Sequence, residues 1–308
     1  MFWAAGEVFW YFRRAMDSRK TYLILNPVAN KGRAGRLLGD ISNFLGGFGL
    51  SPEWHVTDAP GDAARIVREL PEDGIVVAVG GDGTVHEVAS ACVGTERVMG
   101  ILPAGSGNDY VKALGIGGDL RRALEVIARG NVRVVDTGEV NGVHFNNGLG
   151  IGFDAEVAAG VKIAPSYLGG AGRYMWSVGR LLWGFTCHEA TLTLDGDEVV
   201  EAETILVAAA LGTTYGAMFK LAPDSRLDDG LFDVVYSEKI SRLDVMRIIP
   251  SALAGTIMRH DEVNMARAKK LEVKMAETVP AHVDGEILAP TRSFEAKVVP
   301  GSLRVLAP

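Results

Sequence analysis

Three short apolar runs in the first third of the chain each stop on a glycine-bearing turn, and each turn leads into a helical pattern. Thr21–Leu25 ends on Asn26-Pro27 and a turn through Gly35. Ile75–Val79 ends on Gly80-Gly81-Asp82-Gly83-Thr84, and Val98–Leu102 ends on Pro103-Ala104-Gly105-Ser106-Gly107-Asn108-Asp109. Leu37, Leu38, Ile41 and Leu45 recur at helical spacing after the first turn, and a helix through Val93 follows the second. Beyond the third, Asp119 is placed to cap a helix with Leu120, Ala123, Leu124 and Ile127 inward. A strand at Trp54–Thr57 and a helix at Ala63–Leu70 lie between. Apolar strands alternating with amphipathic helices make a parallel sheet covered on both faces. Such sheets bind ligands beyond the carboxyl ends of their strands, where all three turns fall.

From Val140 the pattern changes. Thr191–Leu194, Glu203–Leu211, Phe232–Tyr236, Lys270–Lys274, Ala281–Val283 and Phe294–Val298 are short, often alternating, and separated by Asp-Gly or Pro-Gly turns. This is the signature of antiparallel sheets. Helical patterns interrupt it at Gly172–Phe185 and Ser241–Ala254. The expected architecture is an α/β domain with a parallel sheet and Gly-rich loops over residues 20–137. A β-sandwich-like domain over 138–308 follows, its final segment free to pack back on the first.

Composition removes several function classes. With 31 basic against 38 acidic residues, the net charge is -7, which argues against a nucleic-acid partner needing a basic face. Cys92 and Cys187 are too few for a disulfide framework or a four-cysteine zinc site, as expected of a reducing compartment. The longest apolar stretch, Ile205–Leu211, is far below the ~18–20 residues of a spanning helix. Residues 1–16 read either as a short interfacial helix, with Phe2, Trp3, Phe9, Trp10 and Phe12 before Arg13 and Arg14, or as sequence preceding a true start at Met16.

The common phosphate and hydrolytic motifs are missing. There is no Walker loop and no dinucleotide fingerprint. Ser90 stands where a zincin helix beginning at His86-Glu87 needs its second histidine. Ser106 follows Ala104 where a hydrolase elbow requires glycine. Gly80–Thr84 remains, a strand-to-helix turn whose glycines let backbone N–H groups approach an anion. A lone Asp82 there would repel phosphate, so a divalent cation or water is expected between them.

Asn26-Pro27 with Gly32, Gly80–Glu87, Pro103–Asp109, Leu227-Asp-Asp-Gly-Leu-Phe232 and Val283-Asp-Gly-Glu286 occur in the order seen in the soluble diacylglycerol kinase / lipid kinase family. The chain resembles that family from Thr21 to Leu306. The resemblance implies ATP bound between the two domains, contacted by Asn26, Pro27, Val28, Ala29, Asn30, Thr57, Gly81, Asp82, Gly83, Thr84, Val85, His86, Glu87 and Ser106. Asn30 departs from the family's usual glycine; Asn tolerates the left-handed conformation, so the turn should survive. The resemblance also implies Mg2+ and water around the triphosphate at Asp82, Asp109 and Asp136. A second Mg2+ would sit at Asp229 with the carbonyls of Arg226 and Leu231. Read alone, Asp228-Asp229-Gly230 is an ordinary hairpin turn.

Phosphoryl transfer needs positioning, charge neutralisation and a carboxylate to accept the hydroxyl proton. Glu286 is assigned that role, with Asp284 the second candidate. In isolation Asp284-Gly285-Glu286 would be a solvated turn, and only its place in the motif order gives it chemistry. The implied partner is a lipid alcohol at a cytoplasmic, inner-membrane surface, reached peripherally; a homodimer is compatible with the resemblance. Helix 172–185, with Arg173 and Arg180 among aromatics, either leans on the membrane or packs as core. His188, His260 and His282 have no partners at metal spacing. An NAD kinase also uses a Gly-Gly-Asp-Gly-Thr loop, but Gly212-Thr-Thr-Tyr-Gly216 is a poor match to its second motif. A regulator that has lost catalysis is the non-enzymatic alternative, disfavoured because every acidic position is present.

Overall fold

The computed structural model describes residues 19–165 and 167–308. The interfacial helix expected within residues 1–16 lies outside the described residues. The chain divides into two compact units, one running to Val135 and including Gly301–Pro308, the other Asp136–Pro300.

The first unit contains β1 (Thr21–Leu25), α1 (Ala29–Arg36), α2 (Leu38–Gly47), β2 (Glu53–Val56), α3 (Asp62–Glu69), β3 (Ile75–Gly80), α4 (Asp82–Cys92), β4 (Val98–Pro103), α5 (Asp109–Ala113) and α6 (Leu120–Arg129). The strands run in the order β2-β1-β3-β4, all parallel. The chain's last strand adds to the far edge, with Arg304 and Val305 beside Val98 and Met99. Strands β1, β3 and β4 are buried at every residue, which is why their sequences are apolar without alternation. Asp119 caps α6 as its sequence predicts, accepting from the Arg122 N–H, and Gly130 ends that helix at φ 71. Burial pushes the Cys92 thiol up to about 12, which leaves it inert at neutral pH.

The second unit takes up the chain within β5 (Val132–Val140) and continues with β6 (Val143–Phe145), β7 (Gly148–Gly152), α7 (Phe153–Ile163), α8 (Gly170–Leu181), β8 (His188–Leu194), β9 (Glu198–Thr204), β10 (Leu206–Ala210), β11 (Phe232–Ser237), α9 (Arg242–Ala254), β12 (Val263–Ala268), β13 (Lys270–Val283) and β14 (Glu286–Leu306). Neighbours pair antiparallel in the order β12-β11-β10-β7-β13-β14. Besides β14, strand β13 serves two further partners. Leu271–Met275 pair with β8, while Ala281–Val283 pair with β7, across register shifts between Lys274 and Ala281. The two short strands expected at 270–274 and 281–283 are therefore one bent strand.

The sequence reading also differs elsewhere: it placed no element at β5, β6, α7 or β12. The single strand expected at Glu203–Leu211 breaks at Ile205, because the Thr204 hydroxyl bonds back to Leu206 O and to the Ser237 hydroxyl. Strand β7 was not expected, since Gly148-Leu-Gly-Ile-Gly152 has weak strand propensity. Its glycines are required by packing: a Cβ on Gly148 would fall 1.7 Å from the Tyr215 hydroxyl. No helix among the described residues is long and apolar enough to cross a membrane.

Candidate active site

In the first unit the three glycine turns lie side by side and are tied together. Asn26 Nδ2 donates to Thr84 Oγ1 at 3.2 Å, joining the turn after β1 to the turn after β3. The Ala104 N–H donates to Gly80 O at 2.8 Å, and the backbones then touch. A Cβ on Gly105 would meet Gly81 Cα at 2.5 Å. Neither backbone can yield, so glycine is obligatory at this contact. Gly105→Ala is expected to lower the melting temperature by several degrees, an overpacking cost of about 1–3 kcal/mol. An unchanged melting temperature would mean that the two turns part freely.

Asp82 closes the same contact. Its two carboxylate oxygens accept from the backbone N–H groups of Asn108 and Asp109, both at 2.8 Å. Helix α5 has no side-chain cap of its own at Asn108, so a carboxylate from another turn supplies one. The carboxylate expected to face phosphate is thus first a clamp between loops. Glu87 behaves alike, its oxygens accepting from Gly61 N (2.8 Å) and Ala63 N (3.0 Å) at the uncapped start of α3.

The remaining positions of the loops divide by exposure. Val28 and Ser106 are exposed, whereas Thr57, Thr84 and Val85 are buried, with Thr57 Oγ1 donating to Leu25 O. Asn30, Lys31 and Gly32 adopt successive positive φ values of 49, 57 and 79. Asn30 therefore takes the left-handed conformation that was expected of it. The Gly32 N–H at the end of this run donates to Val28 O at 3.2 Å.

In the second unit, Asp284-Gly285 forms the two-residue turn between β13 and β14, with φ 53 and 89. Both positive values fit a type I′ hairpin turn, for which Asp-Gly is a favoured pair. The Asp284 carboxylate accepts from the backbone N–H groups of Asn146 (3.0 Å), Asn147 (2.8 Å) and Gly148 (3.0 Å). Three amide donors fix it in place. Glu286 is half-exposed, and its Oε2 lies 3.3 Å from Lys162 Nζ on α7. Of the two carboxylates, Asp284 is held by three backbone amides, whereas Glu286 is half-exposed and paired with Lys162. Beside them, His282 is buried with Nε2 2.9 Å from Asp154 Oδ2, and the Gly285 N–H donates to its Nδ1 at 3.1 Å. Sequence reasoning missed Asp154 and Lys162 and left His282 unassigned. The only available signal was the position of His282, two residues before Asp284 on a strand.

The same unit holds a pocket lined almost wholly by apolar side chains. Phe153, Val157, Tyr174, Val178, Phe219 and Ile248 contribute to its wall, and Asp154 reaches it from α7. Helix α8 serves this core through Tyr174, Val178 and Leu181. Beyond its end Trp183 is exposed, with the Arg242 guanidinium 5.7 Å from its ring. The core reading of this helix holds for its inner face.

The acidic positions expected to bind Mg2+ are spread over both units. In the first, Asp109 Oδ1 pairs with Lys112 Nζ at 3.1 Å. In the second, Asp136 Oδ2 accepts from the Gly230 N–H at 2.7 Å. Asp82 and Asp109 retain lone pairs, and an ion held by one or two carboxylates together with substrate phosphates suits them. No group of three acidic, His or Cys side chains among the described residues is arranged as a protein-only cage. At Asp229 the fit is poor. Its Oδ1 accepts from the Leu231 N–H, and its Oδ2 pairs with the Arg267 guanidinium, which also meets Asp233 at 3.1 Å. A fixed positive charge already bridges the carboxylates where the second ion, with the carbonyls of Arg226 and Leu231, was expected.

Residues 20–140 match the diacylglycerol kinase catalytic domain, and residues 148–307 match the YegS C-terminal NAD kinase β-sandwich-like domain. The chain is 29% identical over 273 residues to a diacylglycerol kinase of Bacillus subtilis, covering 87% of this chain and 90% of that one. It is 30% identical over 260 residues to the probable lipid kinase YegS-like protein of Chromohalobacter salexigens, covering 82% and 83%. A solved diacylglycerol kinase of Bacillus anthracis has the same fold, with a TM-score of 0.71 at 22% identity over 94% of this chain and 97% of the other. An ATP-bound NAD kinase of Archaeoglobus fulgidus, at 11% identity and TM-score 0.50 over 93% of each chain, shares the fold alone. With both halves matched in order, the chain belongs to the diacylglycerol kinase family of ATP-dependent lipid kinases.

Proposed function

We propose that the chain phosphorylates the hydroxyl of an acyl-bearing lipid alcohol, diacylglycerol first among them, at the cytoplasmic surface of a membrane. The observation that carries this reading is the position of α7. Asp154 at its start reaches the apolar pocket, and Lys162 near its end pairs with Glu286. One helix thus links a pocket suited to hydrocarbon with the carboxylate suited to accept a hydroxyl proton. The loops after β1, β3 and β4 hold the nucleotide, with the start of α4 offering backbone N–H groups to phosphate. Asp82 and Asp109 are the carboxylates for Mg2+, which when bound neutralises charge on the phosphates. Glu286 takes the proton from the acceptor hydroxyl, and Asp284, fixed by its three amides, sets the turn that presents it.

The test is transfer of labelled phosphate from ATP to a panel containing diacylglycerol, monoacylglycerol, a sphingoid base, a polyprenol and NAD. Label is expected in an acyl-bearing alcohol and absent from NAD. Label in NAD would overturn the reading in favour of the fold neighbour's chemistry. The pocket gives a second check. Ile248→Trp narrows it and is expected to raise KM for the lipid roughly tenfold, the scale of a small misfit in an apolar pocket, with KM for ATP unchanged. Equal KM values for the lipid in variant and wild type would remove the pocket from substrate binding.

A further inference from the structure

We infer that His282 is a positioning residue that holds the Asp284-Gly285-Glu286 turn in its working shape, and that Asp154 holds His282 in the tautomer this requires. The inference rests on the reading of Glu286 as proton acceptor. His282 is 3% exposed and Asp154 9%, so the pair is a built interior feature rather than a surface contact. The Gly285 N–H donates to Nδ1 at 3.1 Å, so Nδ1 carries no proton. The ring proton is then on Nε2 and is donated to Asp154 Oδ2 at 2.9 Å.

The sheet is shaped around this pair. His282 lies opposite Gly150 of β7, and a Cβ on Gly150 would fall 2.2 Å from Asp154 Oδ2 and 2.6 Å from His282 Nε2. Only glycine leaves the space. The turn is consequently gripped at each of its three residues: Asp284 by the amides of Asn146, Asn147 and Gly148, Gly285 by His282, and Glu286 by Lys162. Two of these grips come from α7, directly through Lys162 and indirectly through Asp154. A buried His–Asp pair is a poor source of stability compared with apolar packing, whereas it is well suited to fixing an angle. Displacing a reacting group by about 1 Å costs on the order of 100-fold in rate, so a grip on Gly285 bears on turnover through the residue next to it.

Two substitutions separate the two bonds of the ring. In His282→Asn the side-chain carbonyl stands where Nδ1 was and still accepts from the Gly285 N–H. In His282→Gln the longer amide reaches Asp154 but leaves that N–H without its acceptor. With diacylglycerol in detergent micelles and ATP as substrates, His282→Gln is expected to lower kcat at least about tenfold with KM for ATP within about twofold. His282→Asn should recover most of that loss although both variants melt at similar temperatures. Asp154→Asn keeps the shape but can donate to Nε2 and so impose the wrong tautomer; it should lower kcat like His282→Gln. Equal kcat for the two His282 variants, or wild-type kcat in Asp154→Asn, overturns the inference. If Glu286→Gln is inactive while His282→Gln is fully active, this inference falls and the proton-acceptor reading stands. Wild-type turnover in Glu286→Gln removes both.

Discussion

Glu286→Gln is expected to lower kcat by about 100- to 10,000-fold while KM for ATP stays within about twofold, because a general base contributes on that order to proton transfer. Glutamine keeps the length of the side chain and one acceptor oxygen, so it can still receive a hydrogen bond from Lys162, 3.3 Å away. What it loses is the basicity, together with the charge that pairs with Lys162. Glu286 sits at the first position of β14, half in solvent, where neither burial nor amide donors restrain its carboxylate. The comparison variant is Asp284→Asn. That carboxylate accepts from three backbone N–H groups, and an amide can serve fewer of them, so this variant should lose thermal stability as well as turnover. Glu286→Gln should melt like wild type. Near wild-type turnover in Glu286→Gln, with Asp284→Asn inactive but fully stable, would exchange the two roles. Near wild-type turnover in both would leave the proton to water or to the triphosphate itself.

The readability of this fold followed burial. Strands β1, β3 and β4 are covered on both faces, so their sequences are apolar throughout and end where glycine permits contact between turns. Their loops could be placed from sequence for that reason. Strand β7 could not, because its glycines answer to Tyr215 and His282, which are distant in sequence, as well as to Asp154 on the next helix. The bent β13 was read as two strands because three successive exposed residues, Ala276 to Thr278, followed by Pro280 break the alternation and hide the continuity. At the site the motif order located Asp82, Asp284 and Glu286, but the atoms those carboxylates touch depend on tertiary contacts. Sequence reading placed Asp82 and Glu87 against the nucleotide. Their oxygens accept from the amides of Asn108 and Asp109, and of Gly61 and Ala63, contacts the sequence does not announce. Two helices without local caps take them from α4, and helix propensity gives no sign of such a debt. The Asp229 turn likewise reads as a cation site until Arg267, on a neighbouring strand, is seen to supply the charge.

The double duty of Asp82 makes its substitution the most informative change in the first unit. A role at the nucleotide alone would make Asp82→Asn inactive yet as stable as wild type. The clamp adds a second consequence. Asparagine offers one acceptor oxygen to two converging N–H groups, and its own NH2 would point at the other, so one charge-assisted bond is lost and a donor is set against a donor. Losing a hydrogen bond to a charged group costs about 1.5–3 kcal/mol, which should lower the melting temperature by several degrees. Turnover should fall more than tenfold, since the turns after β3 and β4 would separate where Gly81 and Gly105 now touch. Asp109→Asn separates clamp from ion. Asp109 meets the clamp through its backbone N–H, so this variant keeps the clamp and should lose less thermal stability than Asp82→Asn, the weakened pair with Lys112 being a part-exposed one. If Asp82 and Asp109 also share Mg2+, both variants should need several times more of the ion for half-maximal rate. A raised Mg2+ requirement in neither, with Asp82→Asn unstable, would make Asp82 a clamp only. Retention of more than a tenth of wild-type kcat in Asp82→Asn, where tenfold is only about 1.4 kcal/mol of barrier, would exclude it from both roles in catalysis.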